Sequence, residues 1–477
     1  MNNISKIFLN NVIRNPDKKI IGEKINKKWK WYTQIELNNK VMYCRERLHD
    51  YNINKSDRVI YKGKNSVNWL AWNLATYSVG GVWIPIYHNQ NKEYIDHVYE
   101  NSESKLFINE DENISDLKNI KNIVNNNIEE IGYNNEYNIV ENELSNIIYT
   151  SGTSGKPKGV MLSHNNLISN IDSIRLRFKD FEHIDNMKSL NILPWAHIYS
   201  LNAELYYNLL SENQIALSTG PENFINEIRE INPHTLYLVP RVLEEIKKKL
   251  DKLDMMIVRN LIPLILKKLF GTNLITIFMG GAALSDNVRD FYTNNGINVC
   301  EGYGCTETSP MISVNHIHYP RDENSIGKIL DNIIVEIIDG EICVSGDNVM
   351  KGYWKNEDET KKVLIKKDNK IFYRTGDGGK IVNNFLYYGG RISMNYKLSN
   401  GKFVNVEEVE TSIKKYVNKN LLVYGDGKPY NVIIIEDDIS DKDKFLEKIN
   451  QDLPNYLKIK DILCLDDGSF SKFLTPK

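Results

Sequence analysis

Cysteine is scarce in this chain. Five occur in 477 residues, Cys44, Cys300, Cys305, Cys343 and Cys464, odd in number and with no CxxC spacing. That pattern argues against a disulfide framework and against a zinc or iron–sulfur site, and it suits a reducing, cytoplasmic compartment. Long apolar runs are missing as well. No stretch approaches 18 uninterrupted apolar residues, and the opening MNNISKIFLNNVIRNPDKK lacks an apolar segment of signal-peptide length, so a soluble or peripheral protein is expected. Nor does one sign of charge prevail. Lys plus Arg total 60 and Asp plus Glu 62, a formal net charge of -2, so no whole-chain basic field draws the protein to nucleic acid, and none is expected as a partner. Internal repeats are absent too.

What is present is ordinary globular material. Hydrophobic residues make up 41% and charged residues 26%, which excludes global disorder. The length exceeds the roughly 250 to 300 residues at which a single core stops growing, so at least two domains are expected. Asn, Lys and Ile are abundant in runs such as KNIKNIVNNNIEE; composition alone gives these runs no functional weight.

The segment DRVIYKGKNSVNWLAWNLATYSVGGVWIPIY reads as strand, helix, strand, with Val67, Leu70, Ala71, Leu74 and Ala75 at helical spacing and Gly80–Gly81 ending the helix. Further alternation follows in TLYLVP before RVLEEIKKKL, and in LITIFMGGA before SDNVRDFYTNNG and INVCEGYG. Helix-covered parallel sheets are implied, an α/β class. From about Asn332 the pattern changes to short strands and turns, then to a small α/β tail. The domain boundary is placed near Gly390, dividing 1–389 from 390–477.

Three stretches carry chemistry. In NIIYTSGTSGKPKGVMLSH a strand runs into Thr150-Ser151-Gly152-Thr153-Ser154-Gly155-Lys156-Pro157-Lys158-Gly159. Its glycines let backbone amides approach an anion, while its hydroxyls and lysines add donors, which makes a phosphate cradle. It is not a Walker A loop, whose Gly five positions before the glycine of the Gly-Lys pair and Ser or Thr after that pair are here Thr150 and Pro157. A solvated Ser/Gly loop is the plainer reading of that stretch alone. In EGYGCTETSP, Tyr303 offers a flat face for a base, Thr306 a hydroxyl for a phosphate and Glu307 a hard oxygen for magnesium, at the end of a strand where α/β folds bind ligands. In YRTGDGG, a buried Asp377 would accept both ribose hydroxyls; a turn aspartate is the plainer reading.

With GGRISMNYKLSNGKFVNVEEVE, these pieces resemble the adenylate-forming (AMP-binding) superfamily in order and spacing over nearly the whole chain. LPWAHIYS, VPRV, GGAALS and YKLSNGKFV look most like long-chain fatty acyl-CoA synthetases. The resemblance implies a large N-terminal region of two α/β subdomains plus a β-barrel, followed by a small mobile C-terminal α/β domain. It also implies ATP, Mg2+ and CoA acting on a fatty acid. By the same resemblance Thr150, Ser151, Gly152, Thr153, Ser154, Gly155 and Lys158 hold the β- and γ-phosphates. Gly281, Ala282, Ala283, Glu301, Gly302 and Tyr303 line the adenine. Thr306 and Glu307 serve the α-phosphate and magnesium, and Asp377 and Arg391 the ribose. His197 falls where the family has an acyl-pocket or gating residue; a packed histidine beside aromatics is the plainer reading.

Two departures stand out. Where the family has Lys or Asp two positions after the hinge arginine, this chain has Ser393. The family's adenylation lysine lies just beyond a Leu-Thr-Pro pattern, which here reads Leu474-Thr475-Pro476-Lys477, so Lys477 or Lys472 must take that role or it is empty. The segment 246–271 mixes lysines with Leu and Ile, compatible with either a core-facing helix or an interfacial one contacting a membrane peripherally. Three functions stay open: an acyl-CoA ligase, an adenylating enzyme with another thiol acceptor, and a nucleotide- or fatty-acid-binding pseudoenzyme.

Overall fold

Ser66 closes the open end of a helix by accepting a hydrogen bond from Trp69 N at 3.0 Å, and the helix Val67–Ser78 that follows is buried on almost every side. It links two parallel strands, Arg58–Gly63 and Val82–Tyr87, as its sequence pattern predicts. These strands are part of a sheet in the order 352–353, 158–163, 144–150, 82–87, 58–63, 106–109, 121–124. The sheet is parallel except at the hairpin between Leu144–Thr150 and Lys158–Ser163 and at Gly352–Tyr353. Apolar side chains including Ile60, Ile84, Phe107 and Ile147 form its core, since strands covered on both faces need no polar alternation.

A second sheet orders its strands as 311–314, 299–304, 276–279, 235–238, 188–191, 214–217, 19–25, 28–33. The pairs from 299–304 through 19–25 are parallel, while 311–314 and 28–33 each pair antiparallel with their neighbour in this order. The helices Pro240–Asp251 and Ile262–Phe270 cover it, burying Leu243, Ile246, Leu266 and Phe270 in a cluster with Ile277 and Tyr292. In the segment 246–271 the core-facing reading therefore holds for these residues, while Leu261 and Leu264 lie on the exposed side.

The computed structural model describes residues 3–109, 121–124, 137–150, 156–181, 183–251, 261–317, 322, 325–399, 402–417, 419–455, 457–466 and 468–472. The chain divides into two compact units, one of 1–334 with 344–373 and one of 335–343 with 374–477. In the second, residues 377–382 pair antiparallel with 385–391. Farther on, the strands 421–424, 431–435 and 459–464 form a sheet of their own. Helix Val406–Lys414 contributes Val409 and Ile413 to the core behind that sheet, with Val404, Ile433, Ile435 and Ile449. No helix among the described residues is long and apolar enough to cross a membrane.

Candidate active site

The loop of the predicted phosphate cradle joins two hydrogen-bonded strands. Thr150 pairs with Lys158 and Tyr149 with Gly159, so the two ends of the loop are hydrogen-bonded neighbours. Ser151, Gly152, Thr153, Ser154 and Gly155 lie outside the described residues. Gly159 has a packing reason of its own. A Cβ there would meet Ile147 Cγ2 at 2.6 Å and the Tyr149 ring at 3.1 Å, so the small residue is needed by the sheet irrespective of any anion. At the foot of the loop, His97 Nε2 sits 2.9 Å from the Pro157 carbonyl.

Lys158 does not point freely outward. Its Nζ donates to Glu359 Oε2 at 2.7 Å and lies 5.1 Å from the centre of the Tyr353 ring. Hydrogen bonds from Lys158 and Lys362 hold the Glu359 carboxyl down at about 2. Tyr353 in turn donates from its hydroxyl to Glu307 Oε1 at 2.8 Å. Burial, with Glu307 adding to it, pushes that phenol far above its ordinary range. The two groups predicted to serve phosphate and magnesium thus meet through one tyrosine, whose neighbours Gly352 and Trp354 are bound to the hairpin itself.

The EGYGCTETSP stretch is also a hairpin. Val299–Gly304 pairs antiparallel with Met311–Val314, and Gly304 faces Met311. A Cβ on Gly304 would stand 1.7 Å from the Pro310 carbonyl oxygen, so the two strands can approach only with glycine there. Glu301, Gly302 and Tyr303 are part of the strand and half-buried, and Thr306 and Glu307 sit on a single 3₁₀ turn, Thr306–Thr308, with Thr306 buried. Three asparagines clamp this turn and the start of its return strand. Asn170 Nδ2 donates to Met311 O at 2.7 Å and accepts from Met311 N; Asn202 Nδ2 donates to Ser309 O at 2.5 Å; Asn348 Nδ2 donates to Thr308 O at 3.0 Å. Backbone held this rigidly lets Glu307 present its carboxylate at a fixed place.

The neighbouring strand Thr276–Met279 runs parallel, with Met279 in register with Glu301. It ends in Gly280 and Gly281, the latter at φ +83. Gly281, Ala282 and Ala283 are exposed, so the structure brings this predicted adenine loop beside Glu301–Tyr303. Tyr199 covers its base: a Cβ on Gly280 would lie 3.0 Å from the Tyr199 ring.

His197 is exposed rather than packed. It sits just before a π-helix, Tyr199–Tyr206, every residue of which is buried. Such helices are uncommon and cluster at functional sites. The preceding LPWAH loop is tied down from below. Asn65 donates to Asn191 Oδ1 at 2.6 Å and to Leu193 O at 2.8 Å, and accepts from Trp195 N at 2.9 Å. Asn191 and Ser200 both donate to Glu204 Oε2, at 2.7 and 2.9 Å. Burial pushes the Glu204 carboxyl up to about 8.

In the second unit, Asp377 is buried and faces Arg391 across the strand pair, with Arg391 Nε 3.0 Å from Asp377 Oδ1. Arg391 Nη1 also donates to the Thr375 carbonyl at 3.1 Å. Ser393 lies in the 3₁₀ turn Ile392–Met394. Lys477 lies outside the described residues, as does the side chain of Lys472.

Sequence reasoning missed Glu359, Tyr353, Glu204 and the clamping asparagines. Glu359 is 201 positions from its lysine and sits in an ordinary charged helix, Glu357–Val363. The asparagines are invisible in a chain where that residue is common everywhere. Only the aromatic and polar crowding of NAELYY, unusual for a helix, hinted at Glu204.

The AMP-binding enzyme family pattern matches residues 8–354. A long-chain-fatty-acid–CoA ligase of Mycobacterium bovis is 22% identical over 496 residues, covering 90% of this chain and 81% of that protein. Surfactin synthase subunit 2 of Bacillus subtilis is 26% identical over 412 residues, 80% of this chain but 11% of that protein. Among solved structures, an O-succinylbenzoate coenzyme A synthetase of Bacillus subtilis, crystallised with ATP and magnesium ion, superimposes with a TM-score of 0.80. It is 19% identical and is covered to 95%, against 96% of this chain. With the fold of the adenylate-forming enzymes and a family match across most of its length, this chain belongs to the AMP-binding enzymes, a superfamily of adenylating acid–thiol ligases.

Proposed function

We propose that the protein activates a fatty acid with ATP, as its acyl-adenylate, and passes the acyl group to CoA. A carboxylate is a poor acyl donor because its leaving group would be an oxide. Its oxygen therefore attacks the α-phosphorus, the bond to pyrophosphate breaks, and a mixed anhydride forms. The sulfur of CoA then attacks the acyl carbon, the bond to AMP breaks, and the thiol proton passes to solvent.

The observation that carries this reading is the Lys158–Tyr353–Glu307 contact. A cation and a hard carboxylate meet there below the loop predicted to cradle phosphates, as a transition state gaining negative charge on phosphoryl oxygens requires. Lys158 acts by exchanging Glu359 for a phosphate, and charge-assisted bonds of this kind contribute about 1.5–3 kcal/mol each. Magnesium fits the donor set: it takes one or two carboxylates and completes its shell with phosphates and water. That demand agrees with Glu307 on a fixed turn. When bound, it would neutralise charge on the phosphates. The relative crystallised with ATP and magnesium ion supports the same reading.

The adenine is assigned to Gly281–Ala283 with Glu301–Tyr303, the ribose to Asp377 and Arg391, the acyl side to His197, and the adenylation lysine to Lys477, with Lys472 as its substitute. The mobile part is assigned to 390–477. In its favour, a core from Tyr396 to Ile462 closes on itself, and the Ile392–Met394 turn lies just ahead of it. Pyrophosphate exchange dependent on a fatty acid, followed by acyl-CoA formation, tests the proposal across chain lengths. Exchange without transfer to CoA would point to another thiol acceptor, and no exchange with any acid would refute it in favour of a nucleotide-binding pseudoenzyme.

A further inference from the structure

The helix Lys92–Ser102 is seated on the first sheet by one stripe of side chains and grips the phosphate hairpin with another. Asn91 caps its start, accepting from Tyr94 N at 2.9 Å. Ile95 and Val98 sink into the core with Ile60, Ile84 and Ile147. Beside them Tyr94, His97 and Asn101, at spacings of three and four, form a polar stripe. The Tyr94 hydroxyl donates to the Tyr149 carbonyl at 3.2 Å, and His97 Nε2 meets the Pro157 carbonyl at 2.9 Å. Asn101 Oδ1 accepts from the Tyr149 hydroxyl at 2.6 Å, while its carbonyl accepts from Trp354 Nε1 at 3.0 Å.

The two carbonyls stand at telling places. Tyr149 immediately precedes Thr150 and Pro157 immediately precedes Lys158, and Thr150 and Lys158 are partners across the hairpin. A peptide unit is planar, so fixing its carbonyl also fixes the amide of the next residue and the direction in which that side chain leaves the strand. One turn of one helix therefore holds both peptide units that lead into the Thr150–Lys158 pair. Trp354, bound to Asn101 of the same stripe, is the neighbour of the tyrosine that joins Lys158 to Glu307. Seating the helix needs only its apolar stripe, whereas these hydrogen bonds set the orientation of the groups beside it.

The chemistry of the contacts fits a fixed support. A carbonyl only accepts, so His97 carries a proton on Nε2. Burial pushes the Tyr94 phenol up, which keeps it a donor. A displacement of about 1 Å at a reacting group costs on the order of a hundredfold in rate, so a lysine that serves phosphate gains from a rigid base.

We propose that Tyr94 and His97 are positioning residues for adenylation: by holding the Tyr149 and Pro157 carbonyls they set Thr150 and Lys158 against the phosphates of ATP. This rests on the reading of Lys158 as a phosphate ligand given above.

The test measures both half-reactions of the whole protein. Tyr94→Phe and His97→Phe each remove one hydrogen bond, and each should lower kcat/KM for ATP in acid-dependent pyrophosphate exchange by roughly 3- to 10-fold. The KM for the acid and the conversion of supplied acyl-adenylate to acyl-CoA should stay unchanged, because the β- and γ-phosphates have left before that step. His97→Gln, which keeps an N–H donor, should recover most of the loss. In a Lys158→Ala background His97→Phe should cost little more, since it acts through that lysine. A merely structural role would slow both half-reactions together and add to Lys158→Ala in full. Either of those results, or unchanged ATP kinetics in both phenylalanine variants while Lys158→Ala is impaired, overturns the positioning role alone. An unimpaired Lys158→Ala overturns the reading of that lysine, and this role with it.

Discussion

Lys158 shows how a residue legible in sequence is completed by one that is not. Its place after the Ser/Gly loop makes it a candidate phosphate ligand, but its resting partner is Glu359. Lys158→Ala and Glu307→Ala should each slow acid-dependent AMP formation by at least ~10-fold at saturating ATP and magnesium, since each removes a group serving charge developed in the transition state. Unchanged turnover in both folded variants would remove them from the site. The ion pair also has a pH signature. The Glu359 carboxyl is held at about 2 against an ordinary value of 4.5, chiefly by its Lys158 hydrogen bond. A depressed folded value means that the stabilisation is fully present above pH 4.5 and fades as pH falls toward about 2. Thermal denaturation of wild type and Glu359→Gln should therefore differ near pH 6 and converge in acid. A gap that widens on acidification would contradict the pairing.

At the scale of elements, the phosphate hairpin and the EGYGCTETSP hairpin were both anticipated as strand-borne loops, because period-two apolar runs broken by glycine leave few alternatives. Their rigidity was not. Nothing in GYGCTETSP reveals that Gly304 lets the Pro310 carbonyl approach, or that asparagines from three distant segments hold the turn. Gly304→Ala should destabilise the protein by about 1–3 kcal/mol, as overpacking does, and should lower adenylate formation more than this loss of stability explains. Denaturation midpoints and steady-state rates on the same preparation measure both. A neutral substitution would show that the strands have room to separate.

At the scale of the whole molecule, the proposed division of labour separates the two half-reactions. If Lys477 serves the α-phosphate, Lys477→Ala should slow adenylation, by up to roughly a hundredfold, and leave conversion of supplied acyl-adenylate to acyl-CoA nearly unchanged, with Lys472→Ala mattering less. Quenched-flow measurement of each step decides it; equal slowing of both steps, or of neither, would sink the assignment. The α/β class and the strand-helix-strand unit of 58–87 were legible in the linear sequence, and so were the loops proposed to carry the chemistry as candidates, because each depends on local periodicity or on a handful of adjacent residues. The partners Glu359, Tyr353 and Glu204 and the clamping asparagines were decided only by the tertiary structure. Each acts on a residue far away in the chain or on a buried neighbour, and burial, which sets both the cost of an unpaired polar group and the shift of a carboxyl such as that of Glu204, is a property of the packed interior that no stretch of sequence contains.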